Sequence, residues 1–359
     1  MKISIVAGAR PNFMKIAPII DAIVKSKNAG NNLSYRLVHT GQHFDEKMSQ
    51  SFFDELNIPK PDVNLECGGG SQAEQTASIM QKFEIELMRN PVDLTLVVGD
   101  VNSTMACAII SQKLKTKVAH VEGGIRSGDW QMPEEINRLV TDSISNYFFT
   151  TSETANNNLL QSGAKKENIF FVGNTMIDTL LKNIPRLIKP EIFDTVGLVN
   201  GNYIVLTLHR PTNVDDKERL FDLIEAIVSN SKNIPIIFPV HPRTQKNLRN
   251  YSFPNLYMVE PMNYLSFNFL VKHSKAVITD SGGITEETTV LGIPCITLRE
   301  TTERPETCEI GTNELVGTDP KAIEPVLDKL FKGEWKRGKI PPLWDGKAAE
   351  RIVEILNRL

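Results

Sequence analysis

A glycine turn in the second half of the chain carries the clearest chemical signal. Gly282 and Gly283 follow an apolar stretch at 276–278 and precede an amphipathic segment, which predicts a strand, a tight turn and the start of a helix. Glycine lets the backbone approach a ligand, Ser281 can cap the helix or bond a phosphate oxygen, and the first helical amides carry partial positive charge. The turn therefore predicts a binding site for an anion such as a phosphate.

Other polar residues of the second half follow further predicted strands. His209 and His241 each come after an apolar run, and the charged loop at 299–306 has neither helical nor strand periodicity. One histidine at such a place is more often structural, but two beside an anion site favour a functional role. Glu287 is a candidate for bonding a ribose, by analogy with other nucleotide-binding folds, and Glu286 is then expected to face solvent or the other domain.

Three carboxylates of the first half stand near the ends of predicted strands. Asp100 follows the strand at 94–98, Glu122 follows the strand at 118–121 beside two glycines, and Glu134 begins the next helix. Carboxylates held close together repel one another, and repulsion with burial raises the pKa of one of them, which suits acid/base catalysis. A divalent cation is the lesser alternative, because few histidines or further oxygen ligands stand nearby at regular spacing.

Two of these carboxylates also have a structural interpretation. Asp100 is placed to cap the following helix, unless Ser103 caps it and leaves Asp100 for chemistry. Glu134 and Arg138 share a helix face at i and i+4, which predicts a surface ion pair and turns Glu135 aside. Neither interpretation explains the third carboxylate, so the acid/base hypothesis stands beside them.

Two cations follow the first predicted strand. Arg10 lies in the turn after Gly8, and Lys15 lies about one helical turn further along, so that both are expected to face one cleft. Taken alone, the pattern is more typical of a glycine turn with two solvated charges.

The elements that must position these residues alternate from end to end. Short β-rich runs at 3–7, 35–40, 94–98, 118–121 and 147–150 are separated by amphipathic segments, and a second set of runs begins at 203–208. The alternation predicts two α/β domains, each a parallel, doubly wound sheet covered by helices. Ligands bind such sheets beyond the carboxyl ends of the strands, where nearly every polar cluster of this chain lies. The segment 182–202 loses periodicity and is predicted to be a linker.

Whole-chain properties limit the class of protein. With 359 residues the chain suits two domains, and its net charge of -3 argues against a protein that binds nucleic acid by broad neutralisation of phosphates. The four cysteines lack paired spacing, so neither a disulfide framework nor a zinc site is expected. No apolar run is long enough for a signal segment or a membrane span, and we expect a soluble, cytoplasmic protein.

Ten segments, in order along the whole chain, resemble the non-hydrolysing UDP-N-acetylglucosamine 2-epimerases. They are GARPNFMKIAP (8–18), TGQHF (40–44), VVGDVNST (97–104), HVEGGIRSGD (120–129), MPEEINR (132–138), GNTMID (173–178), LHRPTN (208–213), PVHPR (239–243), TDSGGITEE (279–287) and LRETTERPE (298–306). The resemblance implies a GT-B type of fold, in which two Rossmann-like domains face a cleft. We place one domain at 1–173 and a UDP-binding domain at 174–346, and the resemblance implies that a C-terminal helix at 347–359 packs back on the first domain. It also implies a homodimer.

The resemblance further implies reversible inversion at C2 of a UDP-linked 2-acetamido sugar, without metal or nicotinamide cofactor, for the synthesis of surface polysaccharide precursors. UDP leaves by anti elimination, and re-addition to 2-acetamidoglucal then takes place from the other face at C2. Catalytic roles then fall on Asp100, Glu122, Glu134 and His209. Substrate- and UDP-binding roles fall on Arg10, Lys15, Arg138, His241, Phe267, Ser281, Gly282, Gly283, Glu287 and Arg304.

Other functions stay open at this stage. Only the residues 129–132 join the glycine of the sugar loop to the PEE segment, which is shorter than in many family members, so the sugar can differ. One alternative is 2-epimerisation of a UDP-2,3-diacetamido-uronic acid. Arg126 is then a candidate for binding the carboxylate of that sugar. More distant alternatives are a GT-B glycosyltransferase, which needs an acceptor groove and no cluster of three carboxylates, and a nucleotide-sugar sensor, which would tolerate loss of Asp100 and Glu122.

Overall fold

Parallel strands build both sheets of the chain. The computed structural model describes residues 1–42, 53, 55–240, 242–248 and 251–359, without the side chains at 242 and 243. They divide into a first unit, Met1–Lys182 with Pro342–Leu359, and a second unit, Asn183–Pro341. None of the helices that the described residues form is long and apolar enough to cross a lipid bilayer.

The first unit alternates strands with helices. Its strands are β1 Lys2–Ala7, β2 Ser34–His39, β3 Val63–Asn64, β4 Leu94–Val98, β5 Lys117–Val121, β6 Tyr147–Thr150 and β7 Ile169–Phe171. Its helices are α1 Arg10–Asn28, α2 Gln72–Arg89, α3 Asn102–Lys113, α4 Pro133–Ile144, α5 Glu153–Gln161, α6 Thr175–Asn183, whose last residue already belongs to the second unit, and the C-terminal α15 Ala348–Leu356.

The second unit has the same alternation. Its strands are β8 Ile204–Thr207, β9 Ile236–Pro239, β10 Leu256–Val259, β11 Ala276–Thr279, β12 Cys295–Thr297 and β13 Asn313–Leu315. Its helices are α7 Glu191–Thr195, α8 Pro211–Val214, α9 Lys217–Ser229, α10 Pro242–Leu248, α11 Tyr264–His273, α12 Gly282–Leu291, α13 Pro305–Glu309 and α14 Ile323–Phe331.

Strand order fixes where a ligand can enter each sheet. The first sheet has the order β3-β2-β1-β4-β5-β6-β7 and the second β10-β9-β8-β11-β12-β13, with every strand pair parallel. The chain therefore reverses its direction of growth between β1 and β4, and again between β8 and β11. At such a point neighbouring loops leave the carboxyl edge in opposite directions and open a crevice.

Burial explains why these runs become strands. In β4 every residue from Leu94 to Val98 is buried, which a parallel sheet covered on both faces requires. In β8, Ile204 and Leu206 pack in one apolar cluster and Val205 packs in another, because successive strand side chains point to opposite faces. Three edge strands, β3, β7 and β13, were not predicted from the sequence, because each has only two or three residues.

The division between the units differs from the predicted 173/174 and 346/347. Residues 174–182 and 342–346 belong to the first unit, and 183–202 belong to the second instead of forming a separate linker. The side chains of α6 show why, because Thr179 donates to the Met14 carbonyl and Asp178 accepts the backbone N–H groups of Ala348 and Ala349. These bonds join α6 to both α1 and α15.

Candidate active site

At the reversal point of the first sheet, Asp100 forms a chain of charges with α4. Arg138 donates to Asp100 Oδ2 from Nε at 3.0 Å and from Nη2 at 2.6 Å. The third nitrogen, Nη1, donates to Glu135 Oε2 at 2.5 Å. The Arg138 side chain is 3% exposed and that of Asp100 is 30% exposed, so the buried guanidinium holds a carboxylate that solvent can reach.

The predicted Glu134–Arg138 pair is wrong. Arg138 pairs with Glu135 at i,i+3, and Glu135 does not turn aside but is buried. The Glu135 carboxylate also accepts the N–H of Ser127 and of Gly128, so it ties the loop before α4 to that helix. Burial alone would raise the pKa of Glu135, but these N–H groups and Arg138 lower it overall.

The Glu134 side chain is therefore not occupied by the ion pair with Arg138. Its side chain is partly exposed and makes no hydrogen bond or ion pair with another described residue. The capping role considered for Asp100 is also wrong, because the N-cap of α3 is Val101, without a side-chain bond. Ser103 does not cap the helix either, since its hydroxyl bonds Thr40 and Gln42.

Lys15 and Glu122 meet beside the same turn. Lys15 Nζ lies 2.7 Å from Glu122 Oε2, with the side chains 13% and 3% exposed, so Lys15 is not a solvated charge. Glu122 has φ 70°, a left-handed conformation that is uncommon for any residue but glycine and asparagine-like types. A β-carbon placed on Gly99 would lie 3.3 Å from Lys15 Nζ and 3.8 Å from Glu122 Oε2, so this pair adjoins the turn that carries Asp100.

A buried histidine, His120, forms a hydrogen bond with the backbone of that turn. His120 Nε2 lies 2.8 Å from the Gly99 carbonyl oxygen, and Nδ1 lies 2.7 Å from Asp142 Oδ1. Asp142 also accepts the N–H of Gly124 and, at 2.6 Å, Arg126 Nη1. Burial would raise the pKa of Asp142, but the charges and hydrogen bonds of His120 and Arg126 lower it overall.

Arg10 begins α1, directly after the turn that follows β1. Burial lowers its pKa, and the charge of Glu55 opposes that change. Asn12 shapes the turn, because its side-chain oxygen accepts the N–H of both Gly8 and Ala9 and its amide donates to the Val98 carbonyl. The end of β1 is thus bonded to the end of β4.

At the reversal point of the second sheet, His209 rests on a buried carboxylate. His209 Nδ1 lies 2.6 Å from Asp280 Oδ1, with His209 53% exposed and Asp280 0% exposed. The Asp280 carboxylate also accepts the backbone N–H groups of His209 and Arg210 and the amide of Asn213. Burial would raise the pKa of Asp280, but His209, Arg210 and Asn213 lower it overall, which keeps the carboxylate ionised.

The predicted glycine turn is formed as a strand end followed by a helix start. Ser281 is the N-cap of α12, but its side chain makes no capping bond, and Gly282 is the first helical residue. Gly282 adjoins the charged loop after β12, because a β-carbon placed on it would lie 2.5 Å from Glu303 Oε1. Uncapped first-turn amides leave this end of the helix suited to an anion.

The two glutamates of α12 are both buried. Glu286, expected to face solvent or the other domain, is 1% exposed and pairs with Arg304 Nε, so that expectation is wrong. Glu287 accepts the Tyr264 hydroxyl at 2.7 Å. Burial raises the pKa of Glu287 to about 7, against the opposing effect of the Tyr264 and Asn268 side chains.

The remaining predicted positions contribute less. Phe267 lies on α11, partly buried against an apolar cluster, and Gly283 follows Gly282 in α12. His241 lies outside the described residues. No three or more histidine, cysteine, aspartate or glutamate side chains in the described part of the chain are arranged to hold a metal ion.

Sequence reasoning missed several residues of these clusters. Glu135, Asp280 and Arg299 stand in segments that were singled out but were not among the predicted site residues, and Asp142 stands outside those segments. For Asp280 a signal existed, since it follows β11 directly and a polar residue at a central strand end is placed for function. For Glu135 none did, because two adjacent glutamates look alike until the rotation of the helix is known.

Comparison with known proteins agrees with this architecture. The family model for UDP-N-acetylglucosamine 2-epimerase matches residues 25–357. A UDP-N-acetylglucosamine 2-epimerase of Methanocaldococcus jannaschii is 43% identical over 374 residues, covering 99% of each chain. A UDP-2,3-diacetamido-2,3-dideoxy-D-glucuronate 2-epimerase of Pseudomonas aeruginosa is 37% identical over 365 residues, covering 100% of each chain.

Solved structures give the same result. The Methanocaldococcus jannaschii UDP-GlcNAc 2-epimerase in complex with UDP-GlcNAc and UDP has a TM-score of 0.88 at 42% identity, with 100% of both chains covered. The Neisseria meningitidis UDP-GlcNAc 2-epimerase bound to UDP-GlcNAc has a TM-score of 0.91 at 30% identity, again with 100% of both chains covered. The predicted α/β fold of GT-B type is confirmed, as is the predicted class of enzyme, an epimerase and therefore an isomerase. The chain belongs to the UDP-N-acetylglucosamine 2-epimerase family.

Proposed function

We propose that this enzyme interconverts UDP-N-acetylglucosamine and UDP-N-acetylmannosamine by inversion at C2. The observation that carries the proposal is the different pairing of three carboxylates at one edge of the first sheet. Asp100 is held by Arg138, Glu122 is held by Lys15, and Glu134 makes neither an ion pair nor a hydrogen bond with another described residue. Carboxylates with and without a cationic partner at one sheet edge give the site candidates for both an acid and a base.

The reaction needs a base for the proton on C2. In the proposed first step one carboxylate takes that proton, the C1–O bond breaks with its electron pair going to UDP, and a C1=C2 double bond forms in 2-acetamidoglucal. In the return step UDP oxygen attacks C1, and a proton is delivered to the opposite face of C2. Inversion therefore requires two proton-carrying groups, which Asp100, Glu122 and Glu134 supply in an order left open.

The departing diphosphate needs stabilisation of its charge. We assign that task to the second unit, where the uncapped start of α12 supplies partial positive charge and Asp280 orients the His209 imidazole. Arg10 and Lys15 of the first unit, together with Arg138, Ser281, Gly283 and Arg304, complete the proposed substrate contacts, with Glu287 assigned to the ribose and Phe267 and His241 to the rest of the nucleotide. The two complexes of relatives with UDP-GlcNAc or UDP support a ligand of this class.

Proton NMR in D2O tests this function. Purified protein is incubated with UDP-GlcNAc, and the anomeric and C2 proton signals are followed. We expect a new UDP-ManNAc signal and loss of the C2 proton to deuterium. Asp100→Asn serves as the matched variant: it should abolish turnover while leaving UDP affinity within a few fold. Full activity of that variant would remove Asp100 from the mechanism, and an unchanged wild-type spectrum would exclude this substrate.

A second candidate substrate is a UDP-2,3-diacetamido-uronic acid. The 37% identity to the Pseudomonas aeruginosa 2-epimerase for such a sugar supports it. Arg126, the cation considered for the uronate, instead pairs with the buried Asp142, which weighs against this role. The same NMR assay with that nucleotide sugar separates the candidates by their relative kcat/KM.

The dimer and the pathway are expected from the resemblance alone, and the cytoplasmic location is expected from the lengths of the apolar runs. We propose a homodimer in the cytoplasm that feeds the synthesis of a surface polysaccharide. Light scattering of the purified protein tests the dimer, and deletion of the gene followed by analysis of surface sugars tests the pathway.

A further inference from the structure

Arg299, directly after the strand β12, carries an unused donor. Its side chain is 5% exposed, and Nη2 donates to Glu303 Oε2 at 2.6 Å. The other terminal nitrogen, Nη1, is buried and has no hydrogen-bond partner among the described residues. A buried N–H group without a partner is costly, and a charged one more so, which makes this nitrogen a candidate for binding an acceptor from outside the chain.

The unused nitrogen is aimed at the start of α12. A β-carbon placed on Gly282 would lie 3.6 Å from Arg299 Nη1. Gly282 is the first residue of a helix whose N-cap, Ser281, makes no side-chain capping bond. The helix therefore offers its first-turn N–H groups at the place where Arg299 offers a buried guanidinium nitrogen, and both call for an anionic oxygen.

Resting on the proposed function, we propose that Arg299 binds the diphosphate of the nucleotide sugar. Its Nη1 donates to a non-bridging oxygen that the first-turn amides of α12 also hold. Arg304, for which the resemblance implies a UDP contact, pairs through Nε with the buried Glu286. The loop after β12 thus contains two arginines with different anchors, one held by α12 and one aimed at the start of that helix.

Glu303 is the positioning residue for Arg299. Its carboxylate holds Arg299 Nη2, and its other oxygen lies 4.0 Å from Arg210 Nη2. A carboxylate beside an anion site would repel a phosphate, but here two guanidinium groups accompany it. Fixing one terminal nitrogen leaves the planar guanidinium with its other nitrogen directed at the helix start.

Binding of UDP and of uridine by the full-length protein tests the assignment. The variants are Arg299→Gln and Arg299→Lys, with Arg337→Gln as the matched control, because Arg337 is exposed and makes no side-chain bond or ion pair with a described residue. We expect Arg299→Gln to weaken UDP binding by about tenfold or more, and Arg299→Lys by less, since a charge-assisted hydrogen bond is lost in the first and partly kept in the second. Uridine, which lacks the diphosphate, should bind wild type and all variants within about twofold.

Each outcome is decisive. UDP affinity of Arg299→Gln equal to that of Arg337→Gln would overturn the inference and leave the proposed function intact. Equal losses of UDP and uridine binding in both Arg299 variants would assign Arg299 a structural role and also overturn it. Absence of UDP binding to the wild-type protein would overturn the proposed function, and the inference with it.

Discussion

The imidazole of His209 lies on the fully buried carboxylate of Asp280, with 2.6 Å between Nδ1 and Oδ1. The pair directs Nε2 away from Asp280 on a side chain that is 53% exposed. A buried, ionised carboxylate fixes the tautomer and the orientation of such a histidine. Nε2 of His209 is therefore oriented either to accept a proton or to contact a negatively charged group of a ligand.

This relationship predicts that His209 and Asp280 act as a unit. His209→Asn and Asp280→Asn should each lower kcat/KM for the nucleotide sugar by about 100-fold or more, as expected for a lost charge or proton carrier. Because each change disables the same pair, the double variant should be no more than a few fold worse than the poorer single variant. Steady-state kinetics with circular dichroism as the check on folding measures this, and additive losses would contradict the coupling.

Adjacent glutamates on α4 should separate activity from stability. Glu135→Gln removes a buried carboxylate that accepts from Ser127, Gly128 and Arg138, so the free energy of unfolding should fall by about 1–3 kcal/mol. Glu134→Gln should change it by less than about 0.5 kcal/mol, because Glu134 makes no bond with a described residue. Under the proposed mechanism Glu134→Gln nevertheless lowers kcat by about 100-fold. Urea unfolding and kinetics on both variants check the contrast, and a destabilised but active Glu134→Gln would reverse the assignments.

Glu287 should make the stability of the enzyme depend on pH. Burial raises its pKa from 4.5 to about 7 in the folded state, so the folded state binds the proton more tightly than the unfolded state. The contribution of Glu287 to the free energy of unfolding is fully present below about pH 4.5 and is lost as the pH rises through about 7. The whole change in the free energy of unfolding is about 3 kcal/mol.

The variant Glu287→Gln tests this dependence. Glutamine stays neutral and keeps an acceptor for the Tyr264 hydroxyl, so the variant should match wild type near pH 5 and exceed its free energy of unfolding at pH 8 by up to about 3 kcal/mol. Denaturation curves at both pH values measure the difference. Parallel pH profiles of the two proteins would show that folding does not raise the pKa of Glu287.

Gly173 should be required for the packing of the C-terminal segment 342–359 within the first unit. Its φ is 96°, and a β-carbon would lie 2.0 Å from the Leu343 carbonyl oxygen, whereas Gly163 has φ 89° with nothing within 4 Å. Gly163→Ala should cost only the left-handed strain, about 1–2 kcal/mol. Gly173→Ala should cost about 1–3 kcal/mol more, because backbone must move. Thermal unfolding of both variants compares them, and equal losses would mean that the segment 342–359 adapts freely.

Much of the fold followed from the sequence because its signals are local. Largely apolar runs predicted β4 and β6 with the observed bounds, since a strand covered on both faces buries nearly all of its residues. The edge strand β3 was missed because its two residues, Val63 and Asn64, carry no periodicity. Gly173 and Asp178 stood in one segment of the resemblance, but their contacts with Leu343, Ala348 and Ala349 join residues far apart in the chain.

The sequence by itself determined which residues gather at the carboxyl edges, because parallel strands bring their ends to one side and the strands could be recognised from their own residues. Only the tertiary structure decided the partners: Glu135 instead of Glu134 for Arg138, Asp142 for Arg126, and Asp280 for His209. Spacing along the chain fixes contacts within one helix or strand. Contacts between elements depend on strand order and on the rotation of each helix against the sheet, and these are set by the packing of the whole core.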